Sequence, residues 1–313
     1  MSHPRELEVY IDTNGWSDLF RGQSPSQEAQ LRRDLRTAAR ERRVRFITSG
    51  WTIDELGGIA KHNWRKYRHV VDFTLTLIDD ALIVDTRELV ERELRLRRPL
   101  RGRERFFSST DLGKWHHATT RRELVREASA EFRGRADASA KDNQARRESA
   151  RAALWDAILG DPGATAKDPM AAALEWFANP GERIDDWTRN ELANRMRVAG
   201  LDPAAALTYP LKWVPSLWNF VAEMLARIVW NLAKEGDIRP SDDADTHHYA
   251  AARYADVLVS GDRDFTEIVR LIPGSVPPLS MLEFARTHLG WAGLLGGRNV
   301  STRKVRLEGD HMD

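Results

Sequence analysis

Asp245-Thr246-His247-His248-Tyr249-Ala250-Ala251-Ala252-Arg253-Tyr254-Ala255-Asp256-Val257-Leu258-Val259-Ser260-Gly261-Asp262-Arg263-Asp264-Phe265 is the stretch that decides the fold. A helix-like run of small residues reaches Tyr254, an apolar strand follows at Val257–Ser260, and the chain then turns through acids. The same grammar opens the chain, where Leu7–Ile11 runs into Asp12-Thr13-Asn14. It recurs at Val44–Ser49, followed by Trp51 to Asp54 and Glu55. Open parallel α/β sheets bind ligands beyond the carboxyl ends of their strands. Carboxylates gathered there ionise cheaply only if a cation neutralises them, and hard oxygens suit Mg²⁺ or Mn²⁺.

Working outward, Ser24-Pro25-Ser26-Gln27 carries an N-cap, a proline at the first helical position and a glutamine three residues past the cap. It opens a charged helix from Glu28 to about Arg43. Helices are expected around Glu55–Ile59 and His69–Leu77, and a third strand at Ala81–Val84 with Asp85-Thr86 capping the next helix. This β-α-β-α-β rhythm indicates a parallel sheet. It stops between roughly 100 and 235, where only helical periodicity recurs: Thr120–Phe132, Arg147–Leu159, Ala171–Phe177, Asp186–Val198 and Leu217–Leu232. The rhythm resumes with the strand at Val257, a short edge strand at Ser275–Leu279, and a helix capped by Ser280 and Glu283. Beyond Gly297 the polar run to Asp313 reads as a frayed tail. The expected organisation is one discontinuous α/β domain, residues 1–90 and 235–290, interrupted by a helical insertion at 100–235.

The chain has 313 residues, with 48 basic and 47 acidic side chains for a formal net charge of +1, so no global field announces a polyanionic partner. It has no cysteine, which excludes thiol catalysis, disulfides and Cys-ligated zinc and fits a reducing cytoplasm. No signal-peptide pattern or long apolar run appears, so a cytoplasmic protein with no membrane partner is expected. The Arg- and Ala-rich composition fits a GC-rich bacterial genome.

Each acid also has a bland reading. Asp12 could be a helix N-cap, Glu55 could close a capping box with Thr52, Asp245 could be a first-turn acid, and Asp262 with Asp264 could be turn residues. The coincidence of these acids at strand-to-helix junctions of one sheet favours the site.

These residues resemble the PIN-domain nucleases. The resemblance rests on Asp12-Thr13-Asn14 after the first strand, Glu55 early in the helix after the second, and the whole Asp245–Phe265 segment, which is its most specific part. It covers roughly residues 5–90 and 235–290. It implies a three-layer α/β/α domain with a central parallel sheet, here carrying a large all-helical insertion. It also implies a Mg²⁺- or Mn²⁺-dependent endoribonuclease with a two-metal mechanism. Asp12, Glu55, Asp245 and Asp262 would hold the metals, and Asp264 would complete the cluster. Asn14, His248 and Ser260 would support that shell. RNA would be the partner, and a homodimer is left open.

From Arg92 to Arg105 seven arginines face two acids, Glu93 and Glu104, for a local charge of +5, with Phe106, Phe107 and Trp115 close behind. Arginines interleaved with aromatics suit a single nucleic-acid strand, and Arg97, Arg98, Arg101, Arg103 and Trp115 are the candidate contacts. The alternative is a solvated surface. The aromatics Trp213, Trp218, Phe220 and Trp230 recur near helical spacing and read as core. Two other functional classes compete. A haloacid-dehalogenase-type phosphatase needs a second Asp two residues past Asp12, where Asn14 stands. A non-catalytic RNA- or protein-binding scaffold would normally lose site acids.

Overall fold

The computed structural model describes residues 6–20, 24–108, 111–113, 180–233, 241–272 and 274–290, with single positions 125, 149, 152 and 156. Four parallel strands, β1 (Leu7–Ile11), β2 (Val44–Ser49), β3 (Leu82–Ile83) and β4 (Val257–Val259), lie in the order β3-β2-β1-β4. Val9 pairs with Phe46 on one side and with Val257 on the other. Strand order therefore reverses at β1, and the crevice beyond β1 and β4 is the topological switch point where such sheets bind ligands.

Helices follow the strands: α1 (Thr13–Leu19), α2 (Pro25–Arg40), α3 (Gly50–His62), α4 (Trp64–Ile78) and α5 (Thr86–Leu96). After them come α6 (Pro180–Val198), α7 (Pro215–Ala233), α8 (Ser241–Ala252), α9 (Arg263–Arg270) and α10 (Met281–His288). Local chemistry sets their starts. Ser24 accepts from the Gln27 amide while Gln27 accepts from the Ser24 amide, and Ser280 and Glu283 close the same reciprocal cap. Asp85 caps α5 through the Glu88 amide.

The sheet is buried on both faces, as a parallel sheet requires. Alternation sends Val9 and Ile11 to one face, with Phe46, Leu82 and Val259, against Trp16 of α1, Leu31 and Leu35 of α2, Val70 of α4 and Phe284 of α10. Tyr10, Ile47, Ile83 and Leu258 face the other side, against Leu89 of α5, Tyr249 of α8 and Ile268 of α9. Leu217, Val221, Leu225 and Val229 of α7 belong to that same buried cluster, and Ile184 and Leu192 of α6 cover them. Thus α7, from the expected insertion, lies in the core, packed on α8, α9 and α5, the helices of that side. Helices anticipated at Thr120–Phe132, Arg147–Leu159 and Ala171–Phe177, and the tail 297–313, lie outside the described residues.

Two strands are shorter than the sequence suggests. The Ser275–Leu279 strand shrinks to one parallel bridge, Val259 to Leu279, because Pro277 and Pro278 offer no amide donor. β3 keeps two residues, and its free edge is taken by the chain at Arg105–Phe107, where Val84 donates to the Arg105 carbonyl and Phe107 to that of Leu82. Among the described residues no helix is long and apolar enough to cross a membrane.

Truncating a fully buried side chain of α7 tests its place in the core. Leu225→Ala should cost about 2–5 kcal/mol in denaturant unfolding, with sheet and helix signals lost together. An early transition confined to part of the helical signal would show that α7 belongs to a separately folding unit.

Candidate carboxylate site at the switch point

Asp12 sits at the end of β1, 1% exposed. Its amide donates to the Val259 carbonyl across the β1–β4 seam at 3.1 Å, and its Oδ1 accepts from the Gly15 amide at 2.6 Å as the N-cap of α1. The capping role is therefore real and uses one carboxylate oxygen. Oδ2 is shut off from solvent without a well-formed hydrogen bond. A buried charged oxygen in that state is costly unless a cation meets it. Burial accordingly pushes the Asp12 pKa up to about 6, with the His248 charge, the Ser260 hydroxyl and the Gly15 amide opposing and Glu55 adding to the rise.

Glu55, on the second turn of α3, makes no capping box, since the helix begins at Gly50. Its Oε2 accepts from the Thr13 hydroxyl and from His248 Nε2, the latter at 2.8 Å. His248 Nδ1 lies 2.8 Å from the Tyr10 hydroxyl, itself 2.8 Å from Ser49 Oγ. Burial alone would lower the His248 pKa, but Tyr10, Glu55 and Asp12 together hold it well above the usual value. As an imidazolium it donates to both neighbours, and Tyr10 passes its own proton toward Ser49.

Asp262 caps α9 through the Phe265 amide at 2.9 Å, and its own amide donates to Ser260 Oγ. Ser260 thus links Asp12 and Asp262 at adjacent strand ends. Asp245, on α8, is bound through Oδ2 by Arg227 at 2.9 Å. Its pKa is raised well above normal by burial, against the pull of Arg227 and with Glu223 and Asp262 adding to the rise. His248 therefore links Asp12, Glu55 and Asp245 electrostatically, and Asp262 joins them through Asp245. Asp264 is exposed in the first turn of α9, and Asn14 is half-buried in the first turn of α1. Among the described residues, no three acid or histidine side chains are already gathered into a metal cage. Two of the four acids are instead drawn onto His248 and Arg227.

Arg227, its partner Glu223, Thr13 and Tyr10 were not singled out in the sequence. The available signal was a Glu and an Arg four residues apart inside the otherwise apolar run of α7. His247 stacks on Trp51 at 4.2 Å and reaches Thr86 Oγ1, a packing role. Asp256 accepts from the Glu8 amide and is structural.

Much of the arginine run serves the fold. Arg98 grips Glu104 with two bonds of 2.6 and 2.8 Å, and Arg103 pairs with Asp80. Arg105, 6% exposed, binds Glu8 and the Tyr254 carbonyl, while Phe106 is buried. Arg97 and Arg101 are exposed and form no ion pair with a described residue. Trp115 lies outside the described residues. Replacing Arg97 and Arg101 together by alanine should flatten the salt dependence of single-stranded RNA binding by up to ~1.4 in log–log slope, about 0.7 per phosphate contact. An unchanged slope would show that neither arginine meets the strand.

The Asp12 shift predicts a stability change with a definite sign. Between about pH 4 and 6 folded Asp12 keeps a proton that the unfolded chain has released, so its ionisation cost grows through that window and is complete above it. A shift of roughly two units caps that cost near 3 kcal/mol. In EDTA, Asp12→Asn should therefore raise stability at pH 8 by about 1–2 kcal/mol, with the gain gone by pH 4. Equal melting temperatures at pH 8 would show that the ionised carboxylate carries no such burden.

No protein-family model matches the chain, and neither a curated protein nor a solved structure matches it, so the functional argument rests on the residues of the site.

Proposed function

We propose that this chain is a divalent-cation-dependent phosphodiesterase acting on nucleic acid, with RNA as the substrate that its sequence resemblance favours. The observation that carries the reading is Asp12 Oδ2, a buried carboxylate oxygen without a proper partner at the sheet's switch point. Glu55 is near enough to add to the Asp12 shift and Asp262 ends the adjoining strand, and both offer hard oxygens, the donor type that suits Mg²⁺ or Mn²⁺. Such a cation, when bound, activates water and neutralises a phosphoryl oxygen. The chain's own residues do the rest. Gly15 fixes the rotation of the Asp12 carboxylate, Ser260 supports the turn that presents Asp262, and His248 with Thr13 fixes Glu55. Immobilised oxygens pay less ordering entropy when a ligand arrives.

A second reading has one observation in its favour. Glu55 and Asp245 are already paired internally, with His248 and Arg227, as they would be in a scaffold that binds RNA or protein without cleaving it.

Cleavage assays separate the two. The full chain should cut RNA in Mg²⁺ or Mn²⁺, lose activity in EDTA, and fall to background as Asp12→Asn while remaining folded. Retained binding with no metal-dependent cleavage of single-stranded or structured RNA or DNA would favour the scaffold. Full turnover by Asp12→Asn would remove Asp12 from the chemistry.

A further inference from the structure

α7 is apolar along the face it buries: Leu217, Val221, Ala222, Leu225, Ala226 and Val229 are all fully covered. On the opposite side of the helix, buried as well, stand two charged residues, Glu223 at 0% and Arg227 at 5% exposure. Arg227 Nε donates to Glu223 Oε1 at 2.7 Å, its NH2 group reaches Asp245 Oδ2 at 2.9 Å, and the Thr246 hydroxyl donates to the other Glu223 oxygen. A buried ion pair usually returns less than its desolvation costs, and apolar residues of similar size would serve packing as well or better. The pair's position suggests a different use, since it delivers a fixed positive charge to one of the four site carboxylates.

We propose that Arg227 is the built-in second cation of the carboxylate site, so that the site takes one divalent ion rather than two. This rests on the metal-dependent reading above and specifies it. Two cations ~3.5–4 Å apart must share the surrounding carboxylates. The Oδ2 edge of Asp245 already holds a guanidinium, which both occupies the acceptor and repels a second ion nearby. Asp12 Oδ2, by contrast, has no hydrogen-bond partner, and the His248 charge acts on Asp12 without an ion pair among the described residues. The one ion therefore belongs at the Asp12 and Asp262 end of the crevice. Arg227, anchored by Glu223, is a positioning residue that holds Asp245 and supplies the other positive charge.

Counting Mn²⁺ bound to the full chain, by native mass spectrometry and by electron paramagnetic resonance of the free ion, tests this without relying on activity. The parent should bind one Mn²⁺, and Asp12→Asn should bind none. Asp245→Asn keeps an acceptor for Arg227 and should still bind one Mn²⁺, with a dissociation constant within about threefold of the parent. Arg227→Lys should also bind one, whereas Arg227→Met should free Asp245 and raise the count to two. Should Arg227→Met fail to fold, the parent and Asp245→Asn counts decide the matter alone. Two Mn²⁺ ions on the parent, or an ion lost in Asp245→Asn, would overturn the proposal and leave the metal-dependent reading intact. No Mn²⁺ on the parent would overturn that reading and this inference with it.

Discussion

The parallel pairing of β1 with β4 is the constraint on which the site depends. These strands are some 250 residues apart in sequence, yet Ile11 and Val259 are register partners and Asp12 hangs by its amide from the Val259 carbonyl. That single seam sets the strand ends of Asp12 and Ser260–Asp262 side by side. It leaves little slack, because a Cβ on Gly15 would approach the Val259 carbonyl oxygen to 2.9 Å, and one on Gly261 would strike the Asp18 carboxylate. A slip of one residue would turn Tyr10 away from His248 and send Val9 and Ile11 to the wrong core. Register, glycine placement and site geometry are thus one requirement expressed three ways.

What the sequence discloses follows from the range of each interaction. Caps are local, and Ser24, Asp85 and Ser280 could be read directly because their partners lie three residues away. The parallel sheet was legible because both of its cores need apolar residues in runs that composition alone displays. The Pro277-Pro278 edge was overread, since apolar character there outweighed the missing amides. Asp12 and Asp262 posed a false choice between capping and site. Each spends one oxygen on its helix amide and has a second that the cap does not use, so the capping reading does not exclude the functional one.

Long-range charge pairing was not legible. Seven arginines between Arg92 and Arg105 look like a phosphate track when only sequence neighbours are counted. Folding brings Asp80 to Arg103 and both Glu8 and the Tyr254 carbonyl to Arg105, and Glu104 closes on Arg98 within the run itself. Arg105 in particular stitches the end of β3 to β1 and to the segment just before β4, so its charge is consumed by the fold. Local net charge overstates available charge whenever a run borders the core, because burial selects for pairing.

The same reasoning applies with opposite sign at the switch point. Burial there does not cancel the carboxylates; it sorts them. Glu55 is matched by the His248 imidazole, which Tyr10 holds in place from the strand beneath, and Asp245 is matched by Arg227 from α7. Asp12 is the most buried of the four and has the His248 charge at a distance, a nearby hydroxyl and a helix amide to offset its own, without an ion pair to a described residue. A crevice with every acid internally neutralised would be a packing solution, and one with none neutralised would resist folding through like-charge repulsion. This chain lies between those limits, with two acids tied and two left to the crevice. Because one of the ties comes from α7, the segment outside the α/β alternation helps set the charge balance of the crevice.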